Sequence, residues 1–151
     1  MFDFIWHLRG SVRLDSMTSN EAALDGLGRL LDEQGKSVMD RGQRDLAFDD
    51  PLWSNPFGPN WLAMVIYDRG NFWIEQGPDG RLLRYDLRSL HGFIFCLFGA
   101  LMFFAFGAAG GGGFSGGVKF AAIAFGWLYG MNIFLALLRV PPKIRRASRG
   151  P

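Results

Sequence analysis

Two apolar stretches, Leu90 to Ala109 and Val118 to Leu138, are separated only by the uncharged run 110–117, which holds six glycines, one phenylalanine and one serine. Each stretch is about 20 residues, and at about 1.5 Å rise per helical residue that length matches the ~30 Å hydrocarbon core of a bilayer. The pattern predicts an integral membrane protein. A glycine-rich turn at 110–117 then reverses the chain, so spans at about 90–109 and 118–138 form an antiparallel two-helix transmembrane hairpin within 89–139.

Charge supplies the orientation. All fourteen Asp and Glu residues lie at or before Asp86, whereas only ten Lys and Arg occur as far as Arg88, so the first 88 residues carry ten minus fourteen, or −4. The tail after Leu138 holds Arg139, Lys143, Arg145, Arg146 and Arg149 and no acidic residue. Basic residues beside membrane spans are retained on the cytoplasmic side. Arg81, Arg84 and Arg88 before the first span, and the tail after the second, therefore predict a two-pass protein of a bacterial inner membrane with both termini cytoplasmic. Lys119, the one charge within a span, lies a turn from the loop and can snorkel to the interface. Met1-Phe2-Asp3-Phe4 lacks the basic start and apolar run of a cleavable signal peptide.

The first 88 residues read as a cytoplasmic α+β domain. Phe2, Phe4, Trp6, Leu8, Val12 and Leu14 alternate with Asp3, His7, Arg9, Ser11 and Arg13, Ile5 being the sole exception, a period of two that predicts a long strand with one buried face. Gly10 at its middle suggests a bend or bulge. Thr18-Ser19-Asn20-Glu21 has capping-box spacing, and Ala23, Leu24, Leu27, Leu30 and Leu31 follow at helical spacing until Gly35, so a helix is expected from about Ser19 to Gln34. Further strands are expected at Trp61 to Tyr67, Phe72 to Gln76 and Arg81 to Leu87. Turns at 68–71 and 77–80 join these three, and two short strands flank Arg41-Gly42-Gln43. One helix thus covers a mostly antiparallel sheet of four to six strands.

Three prolines interrupt the segment from Asp49 to Asn60, where Trp53 and Phe57 are candidate contacts for a partner or for the headgroup layer. In the apolar half, Gly126 and Gly130 form Gly-x-x-x-Gly, and Gly92 and Gly99 recur on the first stretch. Small residues allow close helix approach in lipid, so these four glycines are expected to pack the two helices together, with Asn132 bonding across them. The basic tail, Arg139, Lys143, Arg145, Arg146 and Arg149, is expected to contact anionic headgroups. It has no aromatic platform beside it, so nucleic acid is not an expected partner.

No catalytic, metal or cofactor signature stands out. Cys96 is solitary, His7 and His91 have no nucleophile in a recognised setting, and the glycine run lacks the Gly-Lys-[Ser/Thr] of a phosphate loop. The expectation is a non-enzymatic membrane protein whose domain serves as a binding, adaptor or accessory-subunit module for a protein partner, with self-association as a further use of its helices. A ligand sensor with a pocket at Trp6, Trp61 and Trp73 is the alternative. An enzyme gathering His7 with Asp49, Asp50 or Glu75 is the third reading.

Overall fold

The computed structural model describes residues 5–51 and 62–149. Alternation builds β1 (His7–Arg13), in which Val12 is buried while Arg9, Ser11 and Arg13 are exposed. Its pairing with β5 runs without a register break, so Gly10 marks no bulge. A side chain there would instead collide with the Tyr85 ring, and the glycine makes room for it.

Helix α1 (Asn20–Glu33) begins one residue later than the sequence motif suggests. Ser19 is the N-cap, its hydroxyl accepting from the Ala22 amide at 3.0 Å, so the reciprocal Thr18–Glu21 box does not form. Ala23, Leu24, Leu27, Leu30 and Leu31 bury one stripe, at roughly 1.5 to 3 kcal/mol for each leucine. Gly35 ends the helix at φ 67°, the left-handed conformation that glycine adopts without steric cost.

Four strands follow: β2 (Val38–Arg41), β3 (Asp45–Asp49), β4 (Arg69–Gly77) and β5 (Gly80–Arg88). Together with β1 they make a five-stranded sheet in the order β1-β5-β4-β3-β2, antiparallel throughout. The tight turn from Gly77 to Gly80 holds Gly80 at φ 121°. Arg69 to Asn71, expected in a turn, extend β4. The expected strand from Trp61 to Tyr67 is absent over its described part, where residues 63–66 form turns with Val65 bonded back to Leu62 and Tyr67 to Met64. Its apolar residues serve two directions. Met64 and Tyr67 enter the core, whereas Ile66 packs at its edge and also meets Gly92 at the start of the next helix.

Beyond β5 the chain is helical from Leu90 to Ala147, and by length and composition this run counts as one candidate membrane span. The expected fold of two separate transmembrane helices is corrected on that finding. Within the run, α2 (Leu90–Gly107) passes through a wide turn (Ala108–Gly112) into α3 (Gly113–Ala147). Gly110, Gly111 and Gly113 leave helical geometry, the last two at positive φ, so the bend is shorter than 110–117. The first part of α3 lies back along α2: Phe93 meets Phe125 and Tyr129 edge-on at 5.4 Å, and a side chain at Gly117 would press on Phe104. Residues 118–138 do not form a span of their own. Tyr129 stands level with Ser89, where α2 begins, and from there α3 continues onto the sheet.

This last stretch completes the core. Ala136, Val140 and Ile144 pack with the leucines of α1 and with Leu46, Phe48, Phe72, Leu83, Tyr85 and Leu87 of the sheet. Residues 140–147, expected as a separate basic tail, are therefore helical and anchored in the module. Pro141 and Pro142 lie inside α3 rather than ending it.

Candidate functional site

Among the described residues, α1 and the end of α3 cover one face of the sheet and leave the other open. Burial along β4 alternates accordingly, with Gly70, Phe72 and Ile74 inside and Arg69, Asn71 and Trp73 exposed. Register then sets rows across the open face. His7, Arg88, Arg69 and Asp49 form the row nearest α2; Arg9, Asp86, Asn71 and Ala47 the next; Ser11, Arg84, Trp73 and Asp45 the third. The odd-numbered side chains of β1 are thus one edge of a wider charged face centred on Trp73. The same alternation in β4 and β5 carries the signal for Trp73, Arg84 and Asp86 on this face; sequence reasoning takes Trp73 for a pocket wall and Arg84 for a flank of the first span and does not join them to β1.

Most carboxylates of this end hold a cation. Asp86 receives the His7 Nδ1 and the Arg9 Nε at 2.9 Å, Glu75 pairs with Arg84, Asp49 with Arg69, and Asp50 takes the Lys36 ammonium at 2.7 Å. His7, Asp49, Asp50 and Glu75, the group that would have made an acid and base site, are therefore distributed among separate ion pairs. The Arg84–Glu75 and Arg69–Asp49 pairs are exposed and contribute little to stability, whereas Lys36 is buried in its pair and His7 and Asp86 are half-buried. The pairs do give the face a fixed pattern of charge that a partner can match. Among the described residues, no three His, Cys, Asp or Glu side chains gather to hold a metal.

The sensor reading needs Trp6, Trp61 and Trp73 around one cavity. Trp6 instead packs on Phe93 at the base of α2, with ring centroids 5.7 Å apart, whereas Trp73 lies on the open face; Trp61 is outside the described residues. Trp53 and Phe57 also lie outside them.

The junction between sheet and apolar helices is polar and buried. Asp68, almost fully enclosed, accepts from the Arg88 Nε at 2.8 Å and from the His91 amide at 3.4 Å. Ser89, fully buried, bonds through its amide to the Trp6 carbonyl, and its hydroxyl stands 3.2 Å from that of Tyr129. Each buried polar side-chain atom here has a partner, which a buried polar cluster requires.

Helix packing departs from the expected glycine faces. Gly92 abuts Ile66, and a side-chain carbon at Gly99 would lie 3.2 Å from Leu128, so the α2 glycines do sit at contacts. Gly126 and Gly130 do not: nothing lies within 4 Å of where their side chains would be, and Trp127 between them is exposed. The α2–α3 seam is aromatic instead, built from Phe93, Phe125 and Tyr129. Asn132 donates to the Leu128 carbonyl of its own helix at 2.8 Å and also meets the Cys96 side chain of α2, so it does reach across the two helices. Arg139, Lys143, Arg145, Arg146 and Arg149 are all exposed on or just after α3.

The outer surface of the bent helical arm is almost wholly apolar. Phe95, Phe98, Phe106, Phe114, Ile123 and Trp127 are each exposed by more than half, and only 17% of the most apolar window is buried. The core helix of a water-soluble domain has the reverse pattern. No protein-family profile, curated protein or solved structure matches this chain.

Proposed function

We propose that the chain is a membrane-anchored binding module. The bent apolar arm sits in a bilayer and holds the α+β module at its surface, where the open sheet face docks a protein partner. The module acts as an adaptor or accessory subunit and does its work by binding rather than by chemistry. The observation that carries this reading is the pairing of an arm whose bulky apolar side chains point outward with a core that the same helix, α3, completes through Val140 and Ile144. An exposed apolar surface of that extent is satisfied by lipid or by a partner. The basic residues flanking the arm, Arg84 and Arg88 before it and Arg139 to Arg149 after it, support a module on the cytoplasmic side of a bacterial inner membrane.

The partner face is tested with a photo-crosslinking amino acid placed at Asn71, in the middle of the open face, and at Met17, exposed at the far end of the module. A discrete crosslinked product from position 71 and none from position 17, in intact cells, is the expected result. Equal products from both, or products from neither, contradict the docking face. A product at twice the mass of the chain makes the partner a second copy.

A further inference from the structure

The apolar surface of α3 does not stop where α2 stops. Tyr129 is level with the first residue before α2, yet the outward side of α3 stays apolar through Met131, Phe134 and Leu138, which are 40%, 56% and 57% exposed. Phe134 precedes the buried Ala136 by two residues, and Leu138 precedes the buried Val140 by two. Two helical steps of about 100° each set both side chains on the far side from the core. Nine residues separate Tyr129 from Leu138, a rise of about 13 Å. That exceeds the roughly 5 to 8 Å thickness of one headgroup layer. A bilayer that met the protein only along α2 would leave this strip in water.

Charge identifies what covers it. Arg139 follows the strip directly, and Arg145 continues its line around α3, both exposed and neither in an ion pair among the described residues. No acidic residue occurs anywhere after Asp86. A protein partner that matched the apolar strip would also have to answer these cations, whereas an anionic bilayer offers hydrocarbon and phosphate in that order, at about 1 kcal/mol for each basic side chain near its surface.

We propose that this shoulder of α3 is a second membrane contact, with Met131, Phe134 and Leu138 sunk among the headgroups and acyl ends and Arg139 and Arg145 reaching the phosphates of anionic lipid, while Arg149, whose carbonyl meets the Thr18 hydroxyl, belongs to the far end of the module. The module is then held flush against the bilayer instead of standing clear of it on the arm. The inference rests on the membrane reading of the arm and adds to it the tilt and height of the module.

Nitroxide labels on the full chain test it. With Cys96→Ala as background, single cysteines replace Ile123 on the arm, Phe134 and Leu138 on the shoulder, and Met17 at the exposed far end. The protein is reconstituted into phosphatidylcholine vesicles with and without phosphatidylserine. The expected result is that labels at 134 and 138, like that at 123, collide several-fold more with oxygen than with a water-soluble nickel chelate, with the preference at 138 deepening when phosphatidylserine is present. Label 17 shows the opposite preference. Arg139→Gln with Arg145→Gln removes the response to phosphatidylserine, and Arg149→Gln alone leaves it. If 134 and 138 behave like 17 while 123 stays in lipid, the shoulder proposal fails and the arm reading stands; if 123 is aqueous as well, both fail. Spin–spin broadening at 134 that vanishes on dilution with unlabelled protein assigns the strip to a second copy and overturns the lipid contact.

Discussion

The Tyr129 hydroxyl donates to the Ile5 carbonyl at 2.7 Å, joining the middle of α3 to the segment that leads into β1 across 124 residues of sequence. The same oxygen stands 3.2 Å from the Ser89 hydroxyl, so one side chain connects the lead into the first strand, the start of α2 and the body of α3. The arm is consequently not hinged to the module at the β5–α2 connection.

Removing that hydroxyl loosens the junction without emptying the aromatic seam. Tyr129→Phe is expected to cost about 1 kcal/mol, the net worth of a neutral hydrogen bond. Amide exchange in detergent checks it, with faster exchange at Ile5 to Leu8 and at Ser89 and unchanged protection in β3.

The end of α3 is core, not tail. Ile144 is fully buried among the leucines of α1 and the sheet, so Ile144→Ala is expected to destabilise the module by about 2 to 5 kcal/mol, measured by denaturant unfolding in detergent. A chain ending at Arg88 lacks Ala136, Val140 and Ile144 and is expected to remain unfolded even though it contains all five strands.

Two glycines, one in β4 and one in α3, answer differently to the same substitution. A methyl at Gly70 collides with Phe48 and lies 2.6 Å from Leu87, so Gly70→Ala overpacks the core and is expected to cost about 1 to 3 kcal/mol. Gly126→Ala meets nothing and is expected to leave thermal unfolding and oligomeric state unchanged. Loss of stability at Gly126 would restore it to a packing role.

Alkaline pH reports on two buried phenols. Burial raises the Tyr67 pKa far above its ordinary 10.0, with Tyr129 and Tyr85 nearby adding to the rise, and burial likewise raises Tyr85 despite the opposing Arg145 charge. Because the folded state holds these protons more tightly than the unfolded chain, their contribution is intact below about pH 10 and is lost as pH climbs beyond it. Unfolding midpoints measured upward from neutral pH are expected to fall only in that alkaline range, and Tyr67→Phe to flatten the fall.

Much of the sheet was legible because alternation and turn chemistry are local. β1, β5 and the Gly77 to Gly80 turn follow from period two and from a glycine at positive φ. The segment around Met64 misled, since an apolar run reads the same whether its side chains line a strand or split between a core and a neighbouring helix. The apolar half misled for a related reason. Hydropathy marked Met131 to Leu138 as one more stretch of a span, but it cannot distinguish a helix with lipid all round from one with a protein core on one side and an apolar surface on the other. Gly126 and Gly130 illustrate the same limit, for a small-residue motif does not say which way its face points. The charged face around Trp73 was half visible, through the odd positions of β1. Its remainder depended on strand order, which no single segment encodes.

Fractionation of cells that express the full chain tests the membrane anchorage most directly. Membranes are washed first with high salt and then with alkaline carbonate, which strips proteins held at the surface but not those embedded in lipid. The account predicts that the chain stays in the pellet through both washes and enters solution only with detergent. A chain recovered in the carbonate supernatant, monodisperse without detergent, would contradict it.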